Sequence, residues 1–108
     1  MNKEVSYPIA KLLKEKGFDE ITNYNYSEVY GYIENINALK HSDGNNRFVS
    51  APTIAEVVMW LYEKHGIWIS VDSIDDSTIF RHCFSNIDFN SPTEAYEDAI
   101  EYTLNNLI

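Results

Sequence analysis

A chain of 108 residues is the length of one ordinary domain, and a chain of that size buries about two-thirds of its extended surface when it folds, so disulfide or metal support is not required. Its 44% apolar and 23% charged residues exclude a disordered segment. Eight Lys/Arg against 17 Asp/Glu give a net charge of -9, and residues 51–108 hold two of the basic and ten of the acidic side chains, a surface that repels phosphate backbones and anionic lipid headgroups and suits a basic protein partner.

The first helix is expected from about Tyr7 to Lys16, with Ser6 as cap, Pro8 in the first turn and Gly17 just past the end. Ile9, Leu12 and Leu13 form its apolar stripe, and Phe18 is placed to fold back on the last turn. Residues 21–40 are rich in strand-forming types with imperfect alternation, from Ile21 through Tyr24, Tyr26, Val29, Tyr30, Tyr32 and Ile33 to Ile36. They read as a short hairpin with Tyr24, Tyr26 and Tyr30 or Tyr32 on one face. His41–Asn46 is a turn with Asp43-Gly44 at its tip, and Arg47–Ser50 reads as a short strand running into the second helix.

That second helix lies between Pro52 and Gly66. Ile54, Val57, Val58, Leu61, Tyr62 and His65 recur at three- and four-residue spacing, while Met59 and Trp60 widen the apolar arc. Ile67–Val71 follows as a strand, Asp72–Ser77 as an acidic turn, and Thr78–Phe84 as the antiparallel return, with Phe80, His82 and Phe84 on one face. Ile87 and Phe89 extend that strand or make another. Ser91-Pro92-Thr93-Glu94 spells a helix start: a capping serine, proline at the first helical position and glutamate three residues after the cap. The last helix then lines up Tyr96, Ala99, Ile100, Thr103, Leu104 and Leu107, with Glu97, Asp98 and Glu101 on the other face. The expected architecture is a single α+β domain over 1–108, a small antiparallel sheet packed against three helices in the order α-β-β-α-β-β-α.

Cys83 is the only cysteine, so an internal disulfide and cysteine-based zinc motifs are excluded and a reducing compartment is implied. The N-terminus lacks a signal-peptide core, and the densest apolar run, Val57–Tyr62, falls far short of the roughly 20 residues that span a membrane. The expected location is cytoplasmic. His41, His65 and His82 match no zinc spacing, Asp72, Asp75 and Asp76 lack a calcium-loop pattern, and Gly17, Gly31, Gly44 and Gly66 are isolated, so neither metal nor cofactor is expected. His82 reads as a satisfied sheet residue, and Cys83, which points away from His82 on a strand, as a small core residue. No catalytic motif is found.

The aromatic residues are the least ordinary feature. Tyr24, Tyr26, Tyr30 and Tyr32 concentrate four phenols in nine residues, and Trp60, Tyr62 and Trp68 add large rings. Such rings serve either as core or as recognition surface, since they offer large contact area with few torsions to freeze. The tyrosine stretch contains no Lys or Arg, which disfavours a nucleic-acid stacking platform and leaves a protein partner or a homodimer as its functional use.

The segment from Ser50 to Ile69, the opening Ile9–Phe18, and Ser91–Glu97 continuing through Ala99–Leu104 together resemble a group of small uncharacterised proteins of gut Bacteroides, related bacteria and their phages or prophages. The three stretches cover about half the chain in the same order. The resemblance implies a mobile-element or phage gene expressed inside a bacterium and a host or phage protein as partner; it assigns no residue a catalytic role. The expected function is a non-enzymatic protein-interaction or accessory protein. Two alternatives stay open: a small-ligand-binding protein or unrecognised enzyme, and an acidic inhibitor or nucleic-acid mimic.

Overall fold

The computed structural model describes residues 3–27, 33–34, 48–74 and 78–108. The fold is α+β, with three helices and short antiparallel strands following one another as α-β-β-α-β-β-α and a further short strand just before the second helix. The chain divides into two compact units, Glu4–Thr53 and Met1–Lys3 with Ile54–Ile108.

In the first unit, helix α1 (Tyr7–Glu15) begins after Ser6, whose backbone is extended as a cap requires, although its side chain makes no capping hydrogen bond. The helix ends in a Schellman turn. The Phe18 N–H donates to the Leu13 carbonyl at 2.9 Å and the Gly17 N–H to that of Lys14 at 3.3 Å. Gly17 sits at φ 88°, and a Cβ there would meet nothing within 4 Å, so glycine is favoured by its backbone freedom alone. Ile9, Ala10, Leu13 and Phe18 are buried, while Leu12 is half-buried.

Three strands make the sheet of this unit. Strand β1 (Asn25–Ser27) is central, with β2 (Ile33–Glu34) and β3 (Phe48–Ser50) antiparallel on either side. The register pairs Tyr26 with Ile33 and with Val49. The expected strand at 47–50 is thus present and pairs with the first tyrosine-bearing strand. Helix α1 lies against β3. Val5 donates its N–H to the Pro52 carbonyl at 2.9 Å, which fastens the chain before α1 to the chain after β3. The turn expected at His41–Asn46, with Asp43-Gly44, lies outside the described residues.

In the second unit, helix α2 (Ile54–His65) has its first amide satisfied by the Lys3 carbonyl at 2.9 Å. It ends at Gly66, φ 69°, whose N–H returns to the Tyr62 carbonyl at 3.0 Å. Strand β4 (Val71–Ile74) pairs antiparallel with β5 (Ile79–His82) in the register Val71 to His82 and Ile74 to Ile79. The strand expected at Ile67–Val71 therefore begins only at its last residue and takes in Asp72–Ile74, which had the composition of a turn. The reason is pairing: among the described residues Ile67–Ser70 has no strand partner, and of its apolar side chains Ile69 is buried while Trp68 stays exposed. Phe89 adds a single bridge on the other side of β5, exchanging two 2.9 Å hydrogen bonds with Phe80.

Helix α3 (Pro92–Asn106) starts as its sequence dictates, with Pro92 in the first turn and the Ser91 hydroxyl accepting the Glu94 N–H at 3.2 Å. It packs on α2, β4 and β5. Ala95, Ala99, Ile100, Thr103 and Leu104 are buried on its inner face, and the Thr103 hydroxyl donates to the Ala99 carbonyl at 2.8 Å, so its polarity is satisfied within the helix. On α2 the inward residues are Ile54, Val57, Val58, Trp60 and Leu61. Among the described residues, no helix is long and apolar enough to cross a membrane.

Candidate functional site

Three groups of rings bear on function, and they differ in what each side chain already does. The first is on β1 and α1. Tyr26 is half-buried, and its hydroxyl donates to the Val5 carbonyl at 2.7 Å. Its ring lies 5.3 Å from that of Tyr7, over which the Lys11 ammonium sits 5.5 Å from the centroid. Tyr24 is just before β1 and exposed; its carbonyl accepts the Ala51 N–H and the Thr22 hydroxyl, both at 2.9 Å. Tyr30 and Tyr32, the other two of the tyrosine cluster, lie outside the described residues.

The second group is centred on His82. Its imidazole side chain is 0% exposed. Nε2 lies 2.8 Å from Asp98 Oδ2 on α3, and Nδ1 accepts the Phe84 N–H at 3.1 Å. An Nδ1 that accepts carries no proton, so the proton is on Nε2 and is donated to Asp98. The ring stacks on Phe89 at 5.7 Å, and Phe84 in turn stacks on Tyr102 at 5.4 Å. This arrangement joins β5 to α3. It leaves neither nitrogen of His82 a lone pair for a substrate proton, as expected of a satisfied sheet residue.

Cys83, next along, is exposed, and this corrects the reading of it as a core residue. β5 ends at His82 and the chain turns there, so the strand alternation that would have directed Cys83 no longer applies. Its N–H donates to the Ser70 carbonyl at 3.1 Å and its thiol lies 3.9 Å from the Trp68 carbonyl. His65 closes α2 and places its ring 4.9 Å from that of Trp60, edge to face. Among the described residues, no three His, Cys, Asp or Glu side chains gather as a metal site.

The third group is on the outer face of α2 and on the segment that follows it. Met59 and Tyr62, three residues apart and so on one helical face, are 45% and 53% exposed, and Trp68 is 55% exposed. The Tyr62 and Trp68 rings meet edge to face, with centroids 5.6 Å apart and planes at 84°. Trp60, from the same set of sequence candidates, is buried instead. The backbone under Trp68 is held on both sides: Ile67 donates to the Leu61 carbonyl at 3.2 Å, Ile69 is buried, and Ser70 accepts from Cys83. Two large rings are thus displayed on a fixed scaffold.

Spacing alone could have found Met59 with Tyr62, but not the choice of Tyr62 over Trp60 as the outward ring. The His82–Asp98 hydrogen bond had no signal in the sequence, because its partners are 16 residues apart on different elements and Asp98 belongs to an acidic, outward-facing run. Comparison of the chain with protein-family models, with curated proteins and with solved structures finds no match.

Proposed function

We propose that the chain is a non-enzymatic protein-interaction module whose contact surface is formed by Met59, Tyr62 and Trp68. The observation that carries this reading is the exposed Tyr62–Trp68 pair, more than half accessible and seated on an anchored backbone. Exposed apolar side chains scattered singly need no explanation, but a clustered set containing Trp, Tyr and Met has the composition of an interface centre. A rigid presentation also reduces the entropy lost on association. The occupation of both His82 nitrogens supports a structural over a proton-transfer role for that residue. The resemblance of the chain to small proteins of gut bacteria and their phages supports an accessory role with a partner inside the bacterial cell.

The test is affinity purification from cells that naturally carry the chain, comparing it with the Tyr62→Ala/Trp68→Ala variant and with Glu97→Gln/Glu101→Gln. A specific partner retained by the native chain and lost with the ring variant, at unchanged thermal stability, is the expected result. Capture that survives loss of the rings and disappears with the carboxylates would replace this reading by the acidic-mimic one. Absence of any specific partner, together with a monomer in sedimentation at high concentration, would also overturn it.

A further inference from the structure

The unit that carries Met59, Tyr62 and Trp68 holds three basic side chains, Lys3, Lys64 and Arg81, against ten carboxylates. Arg81 is already ion-paired with Asp88. On α2 itself, Glu63 directly follows Tyr62 and shares the helical face of Met59, four residues before it. Exposed rings of Tyr and Trp present a negative π face, which attracts ammonium and guanidinium groups. The chain uses that attraction elsewhere, where the Lys11 ammonium lies over the Tyr7 ring.

We infer that the occupant of this surface is a cationic segment of another protein, one that sets Arg or Lys beside an apolar anchor, and not a second copy of this chain. The inference rests on the docking reading above and adds the chemistry of the partner. A second copy would bring its own excess of carboxylates against this one, which repels at short range. An arginine-bearing helix or strand meets the opposite situation. Its apolar side chain covers Met59 and the Tyr62–Trp68 corner, a guanidinium stacks on the open ring face, and Glu63 lies at the margin as counter-charge. The apolar contact supplies the anchor, and the charges select the partner and speed the encounter.

The experiment titrates the full chain with three synthetic helical peptides of equal length and one Leu stripe, flanked by Arg, by Gln or by Glu. Indole N–H resonances report the site, with Trp68 assigned by Trp68→Phe, and calorimetry reports affinity. The Arg peptide is expected to shift the Trp68 signal and to leave that of buried Trp60 in place. Its affinity should fall about tenfold in Trp68→Ala, and several-fold in Glu63→Lys or when salt is raised from about 0.05 to about 0.5 M. Thermal denaturation of both variants separates loss of binding from loss of fold.

Equal binding of the Gln peptide, with no effect of salt or of Glu63→Lys, would overturn the charge inference and leave the docking reading standing. So would concentration-dependent self-association that Trp68→Ala abolishes. If no peptide moves the Trp68 signal and the chain stays monomeric, both the inference and the reading beneath it fall.

Discussion

His82, the last residue of β5, and Trp68, shortly before β4, are ring residues of the same unit with opposite relations to solvent. The His82 imidazole is wholly enclosed, with one nitrogen donating to Asp98, the other accepting from Phe84, and its face covered by Phe89. Trp68 is 55% exposed and touches Tyr62, itself exposed, through a ring edge. A buried polar ring is tolerated only when its hydrogen bonds are made, so the first site is an architectural joint. An exposed indole adds little to folding, because its surface is only partly removed from water. The contrast separates side chains whose energy goes into the fold from side chains whose apolar area is still available to a partner.

The largest expected effect comes from breaking the joint. His82→Ala should lower the free energy of unfolding by about 3 kcal/mol, since it leaves a cavity and strands the Phe84 N–H. Denaturant midpoints at constant slope measure it, and a loss below about 1 kcal/mol would mean that the site has relaxed or that the joint is weak. Asp98→Ala removes only the acceptor, on a carboxylate that is half exposed, and should cost about 1.5 kcal/mol; Asp98→Asn, which keeps an oxygen for the Nε2–H, should recover most of that. An equal loss in both variants would show that the charge, not the hydrogen bond, matters.

Tyr26 in the other unit extends the contrast, because it is a tyrosine already committed to the fold. Tyr26→Phe deletes the hydroxyl that bonds Val5 and should destabilise by about 1 kcal/mol in the same assay. Tyr62→Phe, on an exposed ring with no such bond described, should be close to neutral. Trp68→Ala, which deletes a larger exposed ring, should also have a small effect on stability, at about 0.5 kcal/mol. A drop of several kcal/mol there would place Trp68 with His82 among the residues that hold the fold together and would remove the basis for a docking surface.

Much of the helical framework was legible from neighbouring residues. Gly17 and Gly66 end their helices at positive φ, and Ser91 caps α3 by accepting from Glu94, because each device acts within a single turn. Of the stripe Ile54, Val57, Val58, Leu61, Tyr62 and His65, the first four are buried as the spacing requires, while Tyr62 and His65 are exposed. The site was less legible. α2 carries apolar residues around most of its circumference, so periodicity could not decide that Trp60 turns inward while Met59 and Tyr62 stay outside. Ile67–Val71 has the composition of a strand, yet the pairing of Val71 with His82 starts the strand at its end.

From the sequence alone follow the fold class and the three helices, the ends of those helices, the acidic character of the second half and the lack of a familiar catalytic motif. These depend on contacts a few residues apart or on composition. Only the tertiary structure decided the strand register, the joining of His82 to Asp98 and which rings remain outside. Those depend on groups brought together from distant parts of the chain, where burial of one ring leaves another in water and no local pattern records the choice.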